Sequence, residues 1–296
     1  MSNLGALYEK LLVSATRHPE GDKYLVQPDP LGLAKNRFHV FQFEVEGSDP
    51  FYITMNKRDI KATAGVSSMD RRTNEDWNKI TNIWTDAETL KAVIHGDKDL
   101  IAEWHEGKWD FTSRNSNSPY QSWFCIVMRL AREQLEKELV KAYLSKAMEK
   151  GLGSALETLM RKIKDHPEGK VLLTEPRVVK NSYPDVEVCE HTFQFELEDG
   201  KPFYLYMGKG DVSAKDGVSK LDRKGNDWNK ISLVWTYTDT LKGVIFGEKN
   251  LISEWHEGRW DFSARNSNSP YHSWLCIVMR MAREQLAKDL VREHLS

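Results

Sequence analysis

Two histidine–glutamate pairs, His105-Glu106 and His256-Glu257, stand in the octapeptides Trp-His-Glu-Gly-Lys-Trp-Asp-Phe (104–111) and Trp-His-Glu-Gly-Arg-Trp-Asp-Phe (255–262). A zinc-protease helix needs a second histidine four residues after the first. Trp109 and Trp260 occupy that position. One histidine per segment makes no metal site, and no metal is expected. An acid–base reading pairs His105 with Asp110 and His256 with Asp261. The plainer reading is a surface cap at a helix end. A second set is the loop Arg114-Asn115-Ser116-Asn117-Ser118-Pro119-Tyr120, repeated as Arg265 to Tyr271 with Asn266 and Asn268. It leads into a helix N-terminus, where free amides and the positive dipole end favour an anion. Arg114 and Arg265 would add a planar fork for a carboxylate or phosphate. Capping alone requires only Ser118 and Pro119, yet the whole loop recurs.

Aromatic residues supply the third set. The chain has ten tryptophans. Each aromatic side chain can bury roughly 150–250 Å², so they either fill the core or form a wall for an apolar or planar ligand. Tyr120 and Tyr271 join the loop to this set. Asp76-Trp77-Asn78-Lys79-Ile80, unchanged as 227–231, reads as a turn with an anchoring tryptophan or as a pocket rim. A phosphate-cradling glycine loop, a nucleophile elbow, a Cys-x-x-Cys pair and a dinucleotide fingerprint are all missing. No cofactor is expected, and binding is expected ahead of catalysis.

These residues come in pairs because the chain is an internal duplication. An offset of 151 relates Trp77, Trp84, Trp104, Trp109 and Trp123 to Trp228, Trp235, Trp255, Trp260 and Trp274. It drifts to 152 at Phe41-Gln42-Phe43-Glu44 against 193–196 and to 148 at His18-Pro19-Glu20-Gly21 against 166–169. Between 104–135 and 255–286 there are six differences in 32 residues, among them Gln121 against His272. The earlier part of each copy differs far more. A tight core, an interface between the copies, or a ligand site would each hold this segment constant. With 296 residues, two domains are expected, 1–147 and 148–296. The net charge of −2 comes from interspersed signs without a basic run, so nucleic acid is not an expected partner. The charge-free stretch 115–128 is too short to cross a bilayer. Met1-Ser2-Asn3-Leu4-Gly5 carries no basic-then-apolar signal. Cys125, Cys189 and Cys276 form no disulfide framework. A cytoplasmic location is the expectation.

The elements that must position these residues follow from periodicity. Leu4, Leu11, Leu12 and Ala15 share a helical face, as do Leu156 and Leu159. Phe41, Phe43 and Val45 alternate with Gln42, Glu44 and Glu46, the pattern of a half-buried strand with its polar set outward. Gly47-Ser48-Asp49-Pro50 turns the chain into a second strand through Phe51, Ile53 and Met55. Strands are also predicted over 60–66, 80–84 and 109–112. Thr85-Asp86-Ala87-Glu88 reads as a capping box with Thr85 as the cap, opening a helix closed by Gly96. A short helix is predicted over 98–106. Ser118-Pro119 opens a long one to about residue 146, whose first turns (123–128) are apolar all round and expected to be buried. Glu133–Lys137 and Glu284–Lys288 would pair along it. The class is α+β: two homologous domains, each a roughly five-stranded, mostly antiparallel sheet covered by helices, with a long C-terminal helix.

That order resembles the sterol carrier protein family. The residues that carry the resemblance are the Phe41/Phe43 and Phe51/Ile53 strand pair, the strand Ile80 to Trp84, then Leu90 and Gly96, then Trp104-His105-Glu106-Gly107-Lys108, a strand and a helix. The resemblance implies an apolar tunnel for sterols, fatty acids or acyl-CoA. Trp84, Trp104, Trp109, Phe111 and Trp123, with Trp235, Trp255, Trp260, Phe262 and Trp274, would line it, and the Arg-Asn-Ser-Asn loops would hold an acidic head group. Three functions stand open. One is a binder or transporter of a hydrophobic small molecule. Another is a lyase, hydratase or isomerase using the same cavity. The last is an interaction scaffold whose copies pack on each other as a pseudo-dimer.

Overall fold

The computed structural model describes residues 4–27, 38–70, 76, 79–112, 119–175, 177–179, 186–188, 190–222, 224–227, 229–263 and 270–296. The chain forms two compact units. One holds Met1–Glu136 together with Lys288–Ser296, the other Lys137–Ala287.

The first repeat runs α1 (Leu4–Leu12), a 3-10 turn (Val13–Arg17), α2 (Gly21–Leu25), β1 (Phe38–Glu46), β2 (Phe51–Asn56), β3 (Asp59–Ala64), β4 (Ile80–Asp86), α3 (Ala87–His95), α4 (Leu100–His105), β5 (Trp109–Thr112) and α5 (Pro119–Met148). The second repeats this as α6 (Leu152–Met160), a 3-10 turn (Arg161–Lys164), α7 (Gly169–Thr174), the two-stranded pair β6 (Arg177–Val179) and β7 (Val186–Val188), then β8 (Glu190–Leu197), β9 (Phe203–Gly208), β10 (Asp211–Asp216), β11 (Ile231–Thr236), α8 (Thr238–Phe246), α9 (Leu251–His256), β12 (Trp260–Ser263) and α10 (Pro270–His294). The five-stranded sheets have the orders β3-β2-β1-β4-β5 and β10-β9-β8-β11-β12. In the first, only β1–β4 is parallel, in register Val40 with Ile80; the other pairings are antiparallel.

Alternation in β1 places Phe41 and Phe43 wholly inside. Phe43 stacks on Phe51 at 4.6 Å, and Phe124 of α5 meets Phe41 at 4.5 Å and Phe43 at 6.2 Å. Tyr8 of α1 closes the group edge-on to Phe43 and Phe124. The sheet-to-helix space of this unit is therefore packed with rings. The second unit keeps Phe195 stacked on Phe203 at 4.6 Å and puts Leu156 and Leu275 where the first has Tyr8 and Phe124.

Several local expectations shift. Gln42 and Gln194 do not face water; they are buried. Gln42 Nε2 donates to the Phe51 carbonyl at 3.1 Å and the Gly65 carbonyl at 3.4 Å, and its Oε1 accepts from the Ser67 amide at 2.7 Å. Gln194 does the same with Phe203, Gly217 and Ser219. The residues after β3 and β10 thus fold back over the outer face, and the amide satisfies backbone groups that burial would orphan. The cap of α3 is Asp86, which accepts from the Thr89 amide at 2.7 Å, while Thr85 donates to the Lys108 carbonyl. A carboxylate matches the positive end of the helix better than a hydroxyl does. Glu133 turns to Arg129 (3.6 Å) and His18 (3.4 Å), Glu284 to Arg280 (3.7 Å), and Lys288 to Asp97 (3.0 Å), in place of the predicted i,i+4 pairs. In α5, Trp123, Phe124, Val127 and Met128 are buried, but Cys125 and Ile126 are only half-buried.

Removing the glutamine staple leaves buried backbone groups without partners. Gln42→Ala and Gln194→Ala should each destabilise the unit that carries them by about 1–3 kcal/mol. The check is hydrogen-exchange protection of β2 and β9, read separately.

Candidate functional site

The site begins at the end of α3. Gly96 closes that helix in the left-handed region, with φ of 78°. From α5, the Arg132 guanidinium donates to the carbonyls of Val93 (2.7 Å) and Ile94 (2.5 Å), the last turn of α3. A side chain at Gly96 would collide with that guanidinium, so glycine is required both by the backbone and by the arginine. Glu136, one turn further along α5, faces Arg132 at 3.8 Å. Burial draws the Arg132 pKa down, and Glu136 opposes this. The chain then leaves α3 through Asp97 and Lys98. Asp99 caps α4 by accepting from the Ala102 amide at 3.0 Å. Buried Glu103 holds Lys98 at 3.0 Å and fixes the turn.

Between this turn with α4 on one side and α5 on the other lies a groove of about 520 Å³. Val93, Leu100 and Met128 form its buried apolar floor, Cys125 and Ile126 its α5 wall, and Ile101, 40% exposed, its lip. Charges ring it: Lys98, Arg129 and Arg132 against Asp97, Asp99, Glu133 and Glu136. The volume falls within the usual range for small-molecule sites, about 300–1,000 Å³.

The second unit has a groove of about 220 Å³ at the equivalent place. Val244, Leu251, Ile252, Cys276, Ile277, Met279, Arg280 and Arg283 line it, each 151 residues after a residue that lines the first. Gly247 and Arg283 repeat the arginine-under-glycine arrangement, and Arg283 donates to the Val244 carbonyl. Burial pushes the thiols of Cys125 and Cys276 up to about 11, so both are protonated at neutral pH and poor nucleophiles.

Of the residues singled out from sequence, the described ones are not among those that line the two grooves. Trp109 and Trp260 are fully buried, edge-on to Phe43 and Phe195, and their indole N–H groups have no acceptor among the described residues. Phe111 and Phe262 sit beside them. Trp123 and Trp274 are buried and donate to the carbonyls of Tyr24 and Leu172. Trp84, Trp104 and Trp255 are exposed, and Trp235 donates to Glu198 at 3.0 Å. His105, Asp110, His256 and Asp261 are exposed, with no hydrogen bond between members of either pair among the described residues. Arg114, Asn115, Asn117, Arg265, Asn266 and Asn268 lie outside the described residues, as do Trp77 and Trp228. Among the described residues no group of three His, Cys, Asp or Glu is placed to hold a metal, and no helix is long and apolar enough to cross a membrane.

Sequence reasoning missed a buried polar stack. His39 lies flat on Tyr120 at 3.8 Å with Nε2 2.9 Å from Thr81 Oγ1. His191 lies on Tyr271 at 3.7 Å with Nε2 2.9 Å from Ser232 Oγ. The two units differ one residue further on. Gln121 donates to the Phe111 carbonyl in the first, whereas His272 stacks on Phe262 at 4.2 Å in the second. Burial, then the nearby His272, brings His191 down to about 3; burial brings His272 down to about 4.

No protein-family model matches the chain, and no curated protein does. A solved structure described as a "UbiJ-SCP2 Ubiquinone synthesis protein" is similar to it, with 16% identity, a TM-score of 0.23, and coverage of 40% of this chain and 91% of that one.

The buried histidines give the second unit an acid sensitivity of defined sign. Their folded pKa values lie below the ordinary 6.5, so the unfolded chain binds more protons. Their stabilising contribution is complete above pH 6.5 and declines as pH falls toward 4, by about 3 kcal/mol or more in all. His272→Gln, the residue of the first repeat, should remove part of the decline. Protection factors of β8 and β11 amides at pH 7.5 and 5 measure it.

Proposed function

We propose that each repeat binds a hydrophobic small molecule, of the lipid, fatty acid, sterol-like or acyl-CoA class, and that the site is the groove between the α3–α4 turn and α5, with its counterpart between the α8–α9 turn and α10. The observation that carries this reading is recurrence. The same concavity forms twice from residues at one constant offset, although the early parts of the two copies have diverged widely. Both copies keep an apolar floor, a cysteine–isoleucine wall from the long helix and an exposed isoleucine lip. Ile101, Ile252 and Ile277 are 40%, 45% and 40% exposed. Covering such surface is worth about 25 cal/mol per Å², less the cost of immobilising the ligand. The resemblance of the element order to sterol carrier domains points to the same ligand class. The charged rim would hold a polar head while the floor takes the apolar body.

The chain purified gently should show, in its native mass spectrum, up to two retained small molecules, to be identified after denaturation. Ile101→Asp with Ile252→Asp places a carboxylate at each lip, at positions already exposed. Occupancy should fall at least about tenfold with the circular dichroism spectrum unchanged. Unchanged occupancy in this variant would rule the grooves out as the site.

A further inference from the structure

The two grooves share their shape-forming residues but not their charge. In the first, Arg132 faces Glu136 at 3.8 Å, and Asp97, Asp99 and Glu133 also line the space. In the second, the position of Glu136 is Ala287 and that of Asp99 is Asn250. Among the described residues no carboxylate lines the second groove; Arg280 and Arg283 do. Arg280 reaches Glu284 at 3.7 Å. Arg283 makes no ion pair among the described residues, and its Nε is buried without an acceptor. Its one recorded partner is the Val244 carbonyl, a neutral group. Glu284, whose charge acts on it, is exposed.

A mostly buried guanidinium without an anion is costly, because its hydration is lost and nothing charged replaces it. The fold keeps Arg283 there to cap α8, as Arg132 caps α3, but omits the carboxylate that balances it. We infer that the second groove is built for an amphiphile whose carboxylate head supplies the missing anion, with Arg283 as the specificity-determining residue, and that the first groove, already balanced by Glu136, does not select for that charge. This rests on the proposed binding function and divides it: the repeats take different ligands. The smaller volume of the second groove favours a short or medium acyl chain. The guanidinium fork suits a carboxylate in particular, since two parallel N–H donors match its two oxygens.

Octanoate and 1-octanol share a chain length and differ in charge, so calorimetric titration of the full chain with each separates the claims. At one of the two sites per chain octanoate should bind about tenfold or more tighter than octanol, the gain expected of a charge-assisted hydrogen bond, and at the other the two should bind alike. Arg283→Gln should bring octanoate to the level of octanol at both sites. Glu136→Ala removes the internal counter-ion of Arg132 from a half-buried helix position and should give the first site the same preference for octanoate, a result that decides the inference even where Arg283→Gln unfolds its unit. Octanol binding with no preference for octanoate at either site, or no added preference in Glu136→Ala, would overturn the inference and leave the groove reading intact. Failure of both ligands would overturn both.

Discussion

Each unit depends on a guanidinium laid beneath the end of a nine-residue helix. The last carbonyls of α3 carry partial negative charge and have no partner within the helix. Arg132 meets two of them, and only a glycine at 96 leaves room for it. This fixes how closely α5 approaches α3, and so fixes the gap between α5 and α4. The groove is what remains of that gap once Glu103 has pinned the turn through Lys98. The second unit rebuilds the same joint with Arg283, Gly247 and buried Glu254, which Arg259 and Lys249 hold.

Duplication makes the molecule its own comparison. Where the copies agree, the residues serve the joint, the sheet and the glutamine staple. Two differences, one inside the near-constant segment and one just after it, bear on the buried stack and the groove. Ala287 removes the counter-ion of an arginine, and His272 replaces a hydrogen-bonded amide with a buried, neutral imidazole. The histidine leaves the strand register beside it unchanged, since β11–β12 pairs as β4–β5 does. The scaffold therefore accommodates different residues at positions beside the groove and in the buried stack. The compact units also do not end where the repeats do. Lys288–Ser296 belongs to the first unit, where Lys288 and Arg292 hold Asp97, and residues from Lys137 onward belong to the second, where Lys141 holds Glu248.

Much of the fold was legible because period two and period 3.6 are backbone facts. The β1–β2 hairpin, the strand at Trp109 and the proline-opened long helix stand where alternation and capping residues put them. Gln42 was misread because alternation reports one buried face, and β1 has two: the fold-back at Ser67 covers the other. The tryptophans drew attention because core and ligand wall select the same side chains. Trp109 shows no surface at all, and nothing in a sequence distinguishes the two roles. The groove did leave a trace. Residues 123–128 are apolar all round, more than the sheet side of one helix can bury. Cys125 and Ile126 are the surplus, and they form the groove wall. The pairing of Arg132 with Gly96, distant in sequence, left none.

The central claim is that ligands enter from the helical side and not between sheet and helices. Methyl chemical shifts of isoleucine and methionine, followed during titration with 1-octanol, test it most directly. The account predicts shifts at Ile101, Ile126 and Met128 and at Ile252, Ile277 and Met279, with Ile53 and Ile83 of the sheet unmoved. Shifts centred on Ile53 and Ile83, with the groove residues silent, would contradict it.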